Sequence, residues 1–247
     1  MMRARHVVVA GTAIALIGAD CRPSHAQNSE GVVRVGPHAP THVQVGESAL
    51  GLAAAERDGF LFVPHDTTRA APLLILLHGA TQRAQLFERL LPAADTLGVA
   101  ILAPDSRDVT WDAIRGDFGP DVDFIQRALA LAFDRARIDR CRVVVGGFSD
   151  GASYALSLGI RNAATFHGIV AFSPGFVIPA DLPQHVPVFL RHGTADRILP
   201  IDATSRRIVR ALRDAHFVVD YAEFDGPHTV RAEDARTAME WVKRRSC

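Results

Sequence analysis

From Arg57 onward short apolar runs alternate with longer amphipathic ones, and this alternation constrains the fold more than any other feature of the chain. The apolar runs are FLFVP (60–64), PLLILLHG (72–79), VAILAPD (99–105), RVVVGGFS (142–149), FHGIVAFSP (166–174), VPVFLRHG (186–193) and FVVDYAEF (217–224). Between them lie helical patterns: QLFERLLPAADTLG (85–98), DVDFIQRALALAFDRAR (121–137), a helix after Ser149, one over 203–214, and a last one in which Ala235, Ala238, Met239 and Val242 fall on one face. Strands separated by helices of this length join by right-handed crossovers into a mostly parallel sheet. The unbroken apolar character of LLILL and VVV suits strands covered on both faces. The expected fold class is therefore α/β, with helices on both faces of a mostly parallel central sheet. At 247 residues, with no internal repeat and no change of composition after Arg57, one core and one catalytic-sized domain over 58–247 are expected.

The N-terminus reads differently. Arg3 and Arg5 precede the apolar run VVVAGTAIALIGA (7–19), and Ser24 and Ala26 place small residues where a signal peptidase reads them. Residues 1–26 are expected to be a signal peptide cleaved after Ala26, which implies export to the periplasm or the extracellular space. The run is too short to span a bilayer comfortably, so no stable membrane insertion is expected. Residues 27–57 form an N-terminal leader and first strand, with GVVRV (31–35) and THVQV (41–45) as the alternating segments. Cleavage would remove Arg3, Arg5, Arg22 and Asp20 from a chain that balances 27 basic against 27 acidic residues, leaving a small acidic excess. Without a basic surplus there is no electrostatic footprint for nucleic acid or anionic lipid. Export would leave Cys141 and Cys247, a pair by elimination only, in a compartment that permits a disulfide.

In a parallel α/β sheet the chemistry sits in loops at the carboxyl ends of the strands. Ser149 lies at such an end, in RVVVGGFSDGASYAL (142–156), with Gly147 two residues before it and Gly151 two after. A strand that turns sharply into a helix with a residue exposed at the apex crowds the positions two away, and glycine relieves that crowding. This is the mechanical content of the G-x-S-x-G nucleophile elbow. The competing reading is a glycine-rich turn whose serine caps the next helix. Asp150, beside the serine, offers its backbone N–H to the reaction. Its carboxylate belongs to the first helical turn, where negative charge suits the dipole, and is expected to point away from the oxyanion.

A serine hydroxyl needs a base to take its proton and an acid to orient the base, on this fold in the order Ser, Asp or Glu, His. Of Asp181, Asp196, Asp202, Asp214, Asp220 and Asp225, only Asp196 follows directly from a strand end through a short turn. Asp202 reads as the N-cap of the next helix. Among the histidines, His167 and His192 lie in or at the end of strands and read as packed residues, and His185 and His216 flank strands. His228, in the loop EFDGPHTV (223–230), can swing over the elbow. The assignment is Ser149 as nucleophile, Asp196 as acid and His228 as base. The oxyanion hole would be the backbone N–H groups of Asp150 and of Ala80 in HGATQ, with Thr81 as the near alternative to Ala80. His78 reads as shaping that turn. Trp111, Phe148 and Phe176 are candidates to line an acyl pocket. No ligand spacing suggests a metal.

The segments LLHGATQ, GFSDGASYALSLG, FSPG, HGTADRILP and DGPHTV together resemble the α/β-hydrolase superfamily, and within it the phospholipase/carboxylesterase family and its polyhydroxybutyrate depolymerase-like and feruloyl esterase-like neighbours. The resemblance covers about residues 58–244 and implies the α/β-hydrolase fold without a large lid. It also implies hydrolysis of carboxylic esters or thioesters, small-molecule or polymeric, with no cofactor. It carries the nucleophile onto Ser149, the acid onto Asp196, the base onto His228 and the oxyanion donors onto Ala80 and Asp150. The loop HGATQ is nearer the depolymerase-like form than the carboxylesterase form, so the choice of ester stays open. A peptidase or amidase on the same fold is the second enzymatic reading, and a non-catalytic binding module the reading from another class.

Overall fold

Eight strands form one sheet in the computed structural model, which describes residues 31–247 except 35, 37–39, 54–56, 179 and 181–184. The expected signal peptide lies outside the described residues. In chain order the strands are β1 (Gly46–Ala49), β2 (Gly59–Val63), β3 (Ala71–Leu77), β4 (Ala100–Pro104), β5 (Ile138–Phe148), β6 (Ile169–Phe172), β7 (Val188–Gly193) and β8 (Val219–Phe224). Their spatial order is β1-β2-β4-β3-β5-β6-β7-β8. The first two pairings are antiparallel and all others parallel. The helices are α1 (Leu91–Leu97), α2 (Asp112–Arg115), α3 (Pro120–Arg135), α4 (Asp150–Arg161), α5 (Ser205–Asp214) and α6 (Ala232–Lys243), with a 3-10 segment over Ala84–Leu90.

The two-residue period of a strand sorts its side chains between two cores. Leu73, Ile75 and Leu77 of β3, with Val143 and Val145 of β5, face Phe124, Ala128 and Leu129 of α3, Tyr154 and Leu158 of α4, and Ile208 and Leu212 of α5. Leu74 and Leu76, with Val144 and Phe148, face Phe87, Ala94 of α1, and Ala238, Met239 and Trp241 of α6. All seven residues of β3 are buried, which is why its sequence shows no polar alternation. Each such leucine contributes about 1.5–3 kcal/mol by leaving water. Together they fix the carboxyl ends of β3 and β5 side by side, where Leu77 pairs with Gly147.

Three segments differ from what their sequences suggest. The helix expected over 85–98 is broken: the chain runs as a 3-10 segment to Leu90 and turns α-helical only at Leu91. Pro92 has no N–H to donate back into the preceding turn, so a continuous helix cannot pass through it. GVVRV and THVQV do not supply the first strand. Thr41, His42 and Gln44 give their N–H groups to the carbonyls of Asp134 and Arg135, closing the end of α3, and β1 starts only at Gly46. Val33 is held by Asn162, whose Oδ1 accepts its N–H at 2.7 Å. Asp202 does not cap α5. The helix begins at Ser205 with Thr204 in the cap position, and Asp202 pairs with Arg206 at 2.7 Å.

Candidate active site

β5 ends in Phe148 and α4 begins at Asp150, leaving Ser149 alone at the apex with φ +58° and ψ −121°. A side chain in that region of backbone space costs about 1–3 kcal/mol, which the surroundings must offset. Ser149 is held by its N–H, donated to Phe172 O at 2.9 Å, and by its carbonyl, which accepts from Ala152 and Ser153. A Cβ at Gly147 would lie 2.4 Å from the Gly151 carbonyl, and one at Gly151 would lie 2.0 Å from Leu77 O. No larger residue fits at either position without moving backbone.

His228 lies in the loop between β8 and α6. Its Nε2 is 2.9 Å from Ser149 Oγ and its Nδ1 is 2.6 Å from Asp196 Oδ2. A carboxylate can only accept, so Nδ1 carries the proton, and Nε2 is left to accept from the serine hydroxyl. The ring of Phe148 stacks on the imidazole at 4.6 Å between centroids and helps fix its plane. Asp196 is wholly buried just past β7. Burial pushes its carboxyl up, but hydrogen bonds from Leu199 N–H, His228 and Ile198 N–H outweigh this and hold it below the usual carboxylate range.

A second histidine, His192, which the sequence suggests is a packed residue, reaches the same carboxylate. His192 Nε2 is 3.0 Å from Asp196 Oδ2 and 2.9 Å from Leu199 O, while its Nδ1 is 2.6 Å from Ser205 Oγ. Both neighbours of Nε2 are acceptors, so Nε2 carries the proton and Nδ1 accepts from Ser205. Burial pushes the pKa of His192 below the ordinary histidine value, in keeping with a neutral donor. The signal available in the sequence was spacing alone: His192 stands four residues before Asp196.

The remaining candidates fall away from this cluster. Asp220 pairs with Arg191, His185 meets Phe217 edge to face and His167 Nε2 lies 3.7 Å from Cys247 Sγ. Asp181 is outside the described residues. Among the oxyanion candidates, Thr81 has its N–H engaged with Val109 O at 2.6 Å. Ala80 N–H has no partner among the described residues, and Asp150, first in α4, has an N–H that the helix ladder does not use. The loop after β3 closes on Ser149, since a Cβ on Gly79 would be 3.2 Å from Ser149 Cβ.

His78 is fully buried below that loop. Its Nδ1–H donates to Gly79 O at 2.8 Å, and its Nε2 accepts from Ser106 N–H at 3.0 Å and from Arg57 at 3.2 Å. Trp111 does not line a pocket. It is fully buried and donates Nε1–H to His78 O at 2.8 Å, a hydrogen bond that holds the indole in the core. Phe176 is 38% exposed on the loop after β6. Cys141 and Cys247 form a disulfide. Among the described residues no group of three or more His, Cys, Asp or Glu is arranged to hold a metal ion, and no helix is long and apolar enough to cross a membrane.

Residues 122–238 match the family described as Phospholipase/Carboxylesterase. NocK of Nocardia uniformis subsp. tsuyamanensis is 32% identical over 149 residues, 54% of this chain and 42% of that protein. Acyl-protein thioesterase 1 of Yarrowia lipolytica is 31% identical over 112 residues, 41% of this chain and 49% of the other. The chain thus spans about half the length of these curated relatives or less. An S-formylglutathione hydrolase from Staphylococcus aureus superposes with a TM-score of 0.65 at 13% identity, covering 82% of this chain and 99% of that one, a likeness of fold.

Proposed function

We propose, on the premise that the chain is an α/β-hydrolase whose resemblance is to the phospholipase/carboxylesterase family, that it is an exported serine hydrolase of carboxylic esters. The observation that carries this reading is the unbroken line of hydrogen bonds Ser149–His228–Asp196, at 2.9 and 2.6 Å, ending on a serine at positive φ. Ser149 Oγ attacks the ester carbonyl carbon as His228 Nε2 takes its proton. The oxyanion that forms accepts from the N–H groups of Ala80 and Asp150. His228 then gives the proton to the departing alkoxide, leaving an ester on Ser149. Water adds with His228 again as base, and the acid leaves as Ser149 regains its proton. Asp196 keeps Nδ1 protonated and stabilises the imidazolium at each stage.

Export rests on the order of charged, apolar and small residues over 1–26, and the Cys141–Cys247 disulfide fits an oxidising compartment. The substrate is a small-molecule or polymeric ester. Thioesters are the second reading, favoured by the similarity to acyl-protein thioesterase 1. Turnover of p-nitrophenyl butyrate tests the assignment: it should be measurable in the parent and nearly abolished in Ser149→Ala, and an unchanged rate in that variant would remove the assignment. Matched oxygen and sulfur esters over a range of acyl lengths then select between the two readings.

A further inference from the structure

We propose that Val109 and Thr110 position the oxyanion hole, one residue bracing each of its two donors. The inference rests on the reading of Ala80 and Asp150 as those donors. They come from separate elements, the loop after β3 and the start of α4, and the hole functions only if both N–H groups point at one spot.

Val109 and Thr110 connect the two. The carbonyl of Val109 accepts the N–H of Thr81 at 2.6 Å. Thr81 has φ +62°, the left-handed region that a threonine does not adopt unaided, so this bond holds the residue next to Ala80 in a conformation the chain would otherwise leave. One residue on, Thr110 Oγ1 donates to Asp150 Oδ2 at 2.7 Å. The carboxylate beside the nucleophile is thereby a handle: it fixes the first turn of α4 and with it the direction of the Asp150 N–H.

A brace must itself be fixed, and both ends of this one are. Before it, Ser106 donates its N–H to His78 Nε2 at 3.0 Å and its hydroxyl to Asp108 O at 2.6 Å. After it, Trp111 donates to His78 O, and Asp112 and Asp121 each accept the other's N–H, at 2.8 and 2.7 Å. Tyr154 OH donates to the second oxygen of Asp112 at 2.9 Å. The Val109 side chain is 50% exposed, so its contribution runs through its carbonyl, whereas Thr110 is buried and acts through its hydroxyl. Thr110 is a positioning residue, since it touches neither the nucleophile nor the predicted oxyanion.

The test compares Thr110→Val, which removes the hydroxyl at nearly constant volume, with Thr110→Ser, Asp150→Ala and the double variant Thr110→Val/Asp150→Ala. With p-nitrophenyl butyrate, Thr110→Val should lower kcat by about tenfold with KM within about twofold, as expected for an interaction felt in the transition state. Thr110→Ser should recover most of that loss, and the double variant should lose no more than the worse single one. Parental kcat in Thr110→Val, or losses that multiply in the double variant, overturn the proposal. Amide hydrogen exchange over 79–82 and 150–153 supplies a readout independent of turnover. It should speed up in Thr110→Val, and unchanged exchange overturns the brace even if no ester is hydrolysed by the parent.

Discussion

His192 reaches Asp196 at the same oxygen, Oδ2, that His228 uses, with Nε2 at 3.0 Å against 2.6 Å for His228 Nδ1. Asp196 is therefore oriented by four donors, two backbone N–H groups on Oδ1 and two imidazoles on Oδ2. Asp196→Asn removes the acceptor that fixes the His228 tautomer and should cost about 10³–10⁴ in kcat. His192→Leu leaves the acid in place but deletes one of its donors and should cost about tenfold. Steady-state kinetics on both variants check the ranking, and an equal loss in the two would mean that His192 is itself part of the proton path.

At the two glycines flanking Ser149 backbone, not side chain, fills the space where a Cβ would stand. Gly151→Ala would set a methyl 2.0 Å from Leu77 O and 2.5 Å from His78 O. It should destabilise the protein by about 3 kcal/mol or more, or prevent folding. Gly116→Ala, at an extended φ with nothing within 4 Å of the added carbon, should change stability by less than about 1 kcal/mol. Urea unfolding of the pair gives the comparison.

Stability should depend on pH through buried histidines. Burial lowers the pKa of His78 and His192 below the ordinary 6.5. Protonating His78 would also set N–H donors of Ser106 and Arg57 against an N–H. Groups depressed in this way stabilise the fold fully above the unfolded value and lose that contribution as pH falls through the folded one. Asp121 acts in the opposite sense, since burial and the neighbouring Asp112 push it up to about 6, and its contribution is lost as pH rises through that value. The melting temperature should be lower at about pH 5 than at about pH 7.5, and the drop should be larger in Asp121→Asn. A rise on acidification would contradict this balance.

The disulfide closes a loop of 106 residues from the first part of β5 to the chain end. Cross-links of that span contribute about 2–4 kcal/mol, largely through the unfolded chain. Cys247→Ser should lose about that much by denaturant titration while kcat changes less than about twofold, because the link lies at the opposite end of β5 from Ser149.

The sheet was legible because β3 and the second half of β5, from Val143 to Phe148, are buried, and their sequences are almost wholly apolar there. The elbow was legible because its crowding admits only glycine at 147 and 151. Pro92 could have revealed the break between the 3-10 segment and α1, but the apolar spacing around it suits a helix equally well. The segment 41–45 was misleading for a different reason: it docks on the end of α3 through its backbone N–H groups, and partners about 90 residues away leave no periodic trace. His192 and Thr110 were opaque because their roles come from contacts across the fold, and a threonine on a loop carries no sign of the carboxylate it will meet. Asp150 stood out in the sequence by its place beside Ser149, while the partner of its carboxylate emerged only in three dimensions.

The central claim is that Ser149 is the nucleophile of a covalent intermediate, and the most direct measurement is peptide mass spectrometry of the folded protein after reaction with a fluorophosphonate. One phosphonyl group per chain on the peptide containing Ser149, absent in Ser149→Ala and formed far more slowly in His228→Ala, is the predicted result. A folded protein that takes no label, or takes it on another residue, would contradict the account.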